Sequence, residues 1–147
     1  MLIGILAFLA GVAVPPNVSV SMTDSLKHHV FILNRFFMPE IIKRGAYVVF
    51  PLKENEYFDV RKLGEAMAIK RVACTEGGTL QSVGHRYYCD ADFIGEAKEF
   101  SRTDKKVTPF AYQGVVPKGS LFVMGDHPNS YDSRYFGFIR RSEVRAV

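Results

Sequence analysis

The sequence predicts a mainly β single domain behind a short apolar N-terminus. Short runs rich in β-branched and aromatic residues recur along the chain with Gly or other turn residues at their ends. No repeat, low-complexity tract or long linker divides it, and at 147 residues it suits one domain with a core of its own. The third observation is "MLIGILAFLAGVAV", residues 1–14, apolar throughout and stopped by Pro15 and Pro16.

A complete membrane span needs about 20 apolar residues, so the first fourteen are short for one and lack the basic start of a secretory signal. They are read as part of a membrane anchor (1–14) ahead of a catalytic domain (15–147); the alternative is a buried segment of the soluble domain. "NVSVSMTDSL" follows as an extended stretch, and a mixed segment runs to Pro39. "RGAYVVFPL" (44–52) opens on a turn Gly and reads as a strand. Residues 54–66 keep Tyr57, Val60, Leu63 and Gly64 at helical spacing among charges, which predicts a helix. "AMAIKRVACTEGGTL" reads as strand, Gly-Gly turn, strand. "RYYCDADFIG" and "SLFVMGD" read as two further strands.

A net charge of +4 permits nucleic acid or anionic lipid as a partner, but Lys and Arg are scattered without a block of five, so the charge is weak evidence for either, and no nucleic-acid partner is expected. Cys74 and Cys89 match no zinc spacing. They are either a disulfide in an oxidising compartment or two small buried apolar residues. No metal or organic cofactor is implied.

The segment "VMGDHPNSYDSRYFGF" (123–138) is too polar for a core strand and too aromatic for a disordered tail. It is one of three local patterns that occur in order, after "SVSMTDSL" (19–26) and "IKRVACTEGG" (69–78). On these motifs the chain resembles type I signal peptidases, and most closely the TraF-type peptidases of conjugative transfer systems. Ser21-Met22 matches the nucleophile motif, with Asp24 where Pro is common. Lys70-Arg71-Val72 with Gly77-Gly78 matches the general-base motif. "KRGAYVVF" matches a strand that opens Arg-Gly-Asp, with Ala46 in place of the Asp. Gly125-Asp126, Ser130-Tyr131-Asp132-Ser133-Arg134 and Phe136-Gly137 match the C-terminal signature, with a spacer one residue shorter than in the housekeeping branch.

The resemblance implies an antiparallel β catalytic domain and a membrane-anchored serine endopeptidase of the bacterial inner membrane. Its catalytic domain would be periplasmic and its substrate an exported precursor, a pilin subunit above all. It assigns Ser21 as nucleophile and Lys70 as base. The oxyanion donors would be the Ser21 N–H and the Ser19 hydroxyl. Ser130 would hold the amine, and Asp132 would pair with Arg71 while Arg134 braces the loop.

Chemistry supports the residue types. A serine hydroxyl needs a neighbouring base, and a lysine serves only when neutral, which burial promotes by disfavouring its charged form. Lys70 has apolar neighbours, and strand alternation turns Arg71 to the opposite face. A Ser-His-Asp triad through His127 is the weaker alternative, because His127 lies in the spacer beside Pro128. A self-cleaving repressor shares the Ser-Lys chemistry but resembles a helix-turn-helix joined to the peptidase, and no such helical pair precedes Ser21. A catalytically silent β-domain that binds a secretion complex would keep the strands and have no need of a neutral lysine.

Overall fold

The computed structural model describes residues 18–20 (backbone only), 26–27, 30–32, 34, 39–52, 66–100 and 106–147. The apolar N-terminus (1–14), Ser21 and, apart from Ala66, the helix expected over 54–66 lie outside the described residues. Among the described residues no helix is long and apolar enough to cross a membrane.

The architecture is mainly β and antiparallel. Strands β1 (Val18–Val20) and β2 (Val30–Ile32) form a two-stranded sheet in which Ser19 faces Phe31 across the pair. Strands β3 (Tyr47–Pro51), β4 (Met67–Thr75), β9 (Ser120–Met124) and β10 (Ile139–Arg140) make a sheet ordered β10-β9-β4-β3. The second four-stranded sheet is ordered β7-β6-β5-β8, from β5 (Thr79–Val83), β6 (Arg86–Cys89), β7 (Asp92–Glu96) and β8 (Gln113–Val115). The chain's last residues join two of the sheets. Val147 and Asn34 exchange backbone hydrogen bonds, while Val49 donates to the Ala146 carbonyl.

Strand β9 explains why "SLFVM" is apolar without alternation. Leu121 and Val123 enter a cluster with Ile42, Val48, Phe50, Ala68 and Val72. Phe122 and Met124 enter a second cluster with Ala73, Cys74, Leu80, Tyr87 and Cys89. A strand buried on both faces needs an apolar side chain at every position. β4 serves the same two clusters by another device. Its register against β9 shifts between Val72 and Cys74, a β-bulge. Val72 packs into the first cluster, whereas Ala73 and Cys74 pack into the second.

"RYYCDADFIG" is a hairpin rather than one strand. Asp90 (φ 51°) and Ala91 (φ 68°) turn the chain between β6 and β7 in the left-handed region. Tyr88 and Phe93 pair across it, their rings 5.7 Å apart. The turn carries no Gly, so nothing in the sequence marked it.

Candidate active site

Lys70 faces Val48 across the β3–β4 ladder, and its strand neighbours two positions away, Ala68 and Val72, lie in the first apolar cluster. The amine therefore stands in a row of core positions and is only 6% exposed. Burial, the dominant cause, lowers its pKa from 10.5 to about 8; Arg134 also lowers it, while Asp132 and Asp126 pull upward. At pH 7 roughly a tenth of such an amine is neutral, against under a thousandth at the ordinary lysine value. Its Nζ donates to Ser130 Oγ at 2.9 Å, so the two residues that the resemblance paired are in contact.

The segment from Gly125 to Gly137 builds the support for that contact. A short helix, α1 (Ser133–Phe136), starts from Asp132, whose side chain caps it by accepting the Arg134 backbone N–H. The fully buried Asp132 carboxylate also accepts the Gly125 N–H at 2.8 Å and takes the Arg134 guanidinium on both oxygens, at 2.8 and 2.7 Å. Arg134 reaches further, to the Glu96 carbonyl at 2.7 Å. Burial opposes its charge, but the hydrogen bond and attraction from Asp132 outweigh this and raise the guanidinium pKa. Ser133 Oγ accepts the Val123 N–H at 2.9 Å, fastening the helix to β9.

The aromatic residues of the segment pack around this frame. Tyr131 stacks on Tyr135 with ring centres 5.7 Å apart, and Phe136 meets Phe50 edge-on. Gly137 has φ 76° and lies so close to the Phe110 ring that a Cβ there would come within 2.9 Å of it. The Phe-Gly pair of the motif is thus a packing requirement.

One assignment needs correction. The resemblance pairs Asp132 with Arg71, but Asp132 is committed to Arg134, and Arg71 Nε donates instead to Asp126 Oδ1 at 3.0 Å. The cause is the cap. Turning into α1 brings Arg134, two residues on, back over the Asp132 carboxylate, while alternation sends Arg71 to the other face of β4 from Lys70. Sequence reasoning therefore missed Asp126 as a partner. A signal was available, since the C-terminal motif holds a second carboxylate, Asp126, beside Asp132.

Cys74 and Cys89 are joined as a disulfide, their Cα atoms 5.7 Å apart, inside the second cluster. His127 uses its Nδ1 to accept the Asn129 N–H at 3.0 Å, and Asp132 is held by Arg134 and Gly125, so that carboxylate does not orient the ring for a triad. Ser19 lies in β1, with its backbone alone described, and Ser21 is the next residue but one. Among the described residues no group of three or more His, Cys, Asp or Glu side chains could hold a metal ion.

The family described as signal peptidase, peptidase S26, matches residues 1–147. The chain belongs to that family. A signal peptidase I of Leptolyngbya laminosa is 31% identical over 99% of this chain and 70% of its own length. A crystal structure of a signal peptidase I from Enterococcus faecalis V583 is 24% identical, with a TM-score of 0.45 over 72% of this chain and 95% of that one. As a member of the signal peptidase family, the chain is a serine hydrolase.

Proposed function

We propose that this signal peptidase family member is a serine endopeptidase that cleaves leader peptides from exported precursors with Ser21 as nucleophile and Lys70 as general base. The observation that carries the reading is the Lys70 amine, buried in an apolar row, with a pKa of about 8 and a 2.9 Å bond to Ser130. The neutral amine takes the Ser21 proton as Oγ attacks the scissile carbonyl. The Ser21 N–H and the Ser19 hydroxyl stabilise the oxyanion. The protonated amine then gives its proton to the leaving amino group, and water, activated by the same lysine, hydrolyses the acyl-enzyme.

Strand β1 leads into Ser21 and, among the described residues, is paired on one side only, with β2. An extended substrate can add to its other edge and present its carbonyl beside the nucleophile. The spacer after Gly125-Asp126, one residue shorter than in the housekeeping branch, supports the TraF-type branch. The proposed substrate is then a pilin precursor of a conjugation apparatus, with residues 1–14 in the inner membrane and the domain from residue 15 in the periplasm. A disulfide at Cys74–Cys89 accords with that compartment.

Ser21→Ala and Lys70→Ala each should abolish cleavage of a precursor peptide, and Lys70→Arg should fail too because arginine keeps its proton. The wild-type rate should climb as pH rises through about 8, where the amine deprotonates. Full turnover by Lys70→Arg, or a rate flat across that range, would remove the lysine from the mechanism. Intact-mass analysis of the processed pilin separates simple hydrolysis from ring closure, whose product is lighter by one water.

A further inference from the structure

Tyr87 is fully buried in the second cluster, yet its hydroxyl leaves that cluster and enters the segment that frames Lys70. The oxygen lies 2.8 Å from the Phe110 carbonyl and 3.0 Å from the Arg134 carbonyl, so one proton is shared between two acceptors. The Phe110 N–H reaches the same Arg134 carbonyl at 2.7 Å. Burial above all, helped by Tyr135 and Asp132 against Arg134, pushes the phenol pKa up to about 12. The hydroxyl therefore keeps its proton, and donates, throughout the range in which Lys70 titrates.

The Arg134 carbonyl needs these donors. α1 is a single turn, and the last carbonyls of a helix have no partner within it. A helix so short has no stability of its own and takes its position from what it is bonded to. Asp132 caps its start, and Ser133 ties it to β9. Its far side is held by Tyr87, whose ring stacks on Phe122 and whose strand, β6, is paired on both edges, with β5 and β7. The post that holds Arg134 by its main chain is thus part of a packed sheet. From that main chain the guanidinium extends to both oxygens of Asp132 and to the Ser130 carbonyl at 3.4 Å. Ser130 is in turn the residue that accepts the amine.

We infer that Tyr87 is a positioning residue whose hydroxyl, by pinning the Arg134 carbonyl, keeps Arg134, Asp132 and Ser130 closed over the Lys70 amine, an inference that rests on the reading of Lys70 as the base. The charges that act on the amine are those of Asp132, Arg134 and Asp126, and burial is the largest influence on it. A frame released at Arg134 admits water to the amine, and hydration favours its charged form. The lysine then holds its proton to higher pH and is less often able to accept one at pH 7.

The test compares Tyr87→Phe with Tyr112→Phe in the full chain, purified in detergent and acting on a synthetic precursor peptide. Both remove a tyrosine hydroxyl at the second cluster, but that of Tyr112 donates to the Val115 carbonyl at 2.7 Å and has no part in the frame. Tyr87→Phe should raise the midpoint of the pH–rate profile from about 8 by about one unit, which lowers kcat about tenfold at pH 7 with KM within about twofold. The deficit should close as the pH climbs past the new midpoint. Tyr112→Phe should keep the wild-type midpoint. Should Tyr87→Phe not fold, Tyr87→para-fluorophenylalanine, which fills the hydroxyl's place with an atom that cannot donate, carries the same test.

A wild-type midpoint in a folded variant at position 87, or an equal rise in Tyr112→Phe, would overturn the inference. Cleavage by Ser21→Ala, or a wild-type rate flat across this range, would instead overturn the reading beneath it, a separate result from the same assay.

Discussion

The two apolar clusters on either side of β9 treat polarity in opposite ways. The first has Lys70 set into its row of core positions, and the buried Ser130, Asp132 and Arg134 close over that amine. The second has a disulfide and aromatic contacts instead: Tyr87 stacks on Phe122 at 5.5 Å, and Phe138 meets Tyr112, Phe110 and Phe122 edge-on. An amine is kept partly neutral by apolar walls, and those walls withhold the solvation that would let a loose frame survive. The polar frame must therefore be fully bonded, and the cluster behind it carries no charge to be satisfied. Chemistry is concentrated in one core and rigidity in the other.

The strongest way to break this contrast is Asp132→Ala. It leaves the Arg134 guanidinium buried without its carboxylate and strips the Gly125 N–H of its acceptor. The expected loss is about 3–5 kcal/mol in urea denaturation. Arg71→Ala, which breaks a pair whose side chains are 35% and 26% exposed, should cost less than about 1 kcal/mol. Comparable losses from the two would mean that the frame around Lys70 is no different from an ordinary surface ion pair.

Next in size is the double variant Cys74→Ala, Cys89→Ala. Its bridge closes a loop with a sequence separation of 15, and removing a link of that length should cost about 3 kcal/mol. The bridge itself touches no part of the amine's frame, which the second cluster meets through Tyr87, whose hydroxyl donates to the Arg134 carbonyl at 3.0 Å, so the pH midpoint of activity should stay near 8 in this variant. A moved midpoint would show that the two cores are not independent.

The smallest effect has the opposite sign. Lys70 has a folded-state pKa lowered by burial to about 8, so the unfolded chain keeps a proton that the folded one has shed. Stability consequently rises with pH between about 8 and the ordinary lysine value near 10.4, and the full cost of the buried amine is felt below pH 8. Lys70→Met should raise stability at pH 7 by on the order of 1–2 kcal/mol, net of the partner lost by the Ser130 hydroxyl, while ending activity. The gain should shrink as the pH approaches 10. A Lys70→Met protein less stable than the wild type at pH 7 would show that the lysine is not paying a desolvation cost.

Legibility in the sequence followed length and local chemistry. β3, β4, β5 and β9 were readable because each has several consecutive β-branched or aromatic residues or a Gly-Gly turn beside it. β2, β8 and β10 have three residues or fewer and are defined by their partners, which no local pattern records. The helix at Ser133–Phe136 is too short for periodicity and was concealed inside a motif. At the site, the contact of Lys70 with Ser130 was readable because both belong to motifs whose order is informative. The pairing of Asp132 was not, since it depends on how the chain turns after a cap, and Asp126 had a place in the motif but no stated partner.

The bulge at Ala73 has a consequence for how this strand can diverge. It works as a change of phase. Up to Val72 the even-numbered positions of β4 point into the first cluster, and after it the alternation starts afresh toward the second. Substitutions around Lys70 and around Cys74 are thereby screened by different neighbours. A lineage could retune the setting of the amine without disturbing the bridge, or lose the bridge without altering the amine. Loss of a single residue between the two would undo that freedom at once, because a one-residue slip reverses the face of every side chain on one side of it.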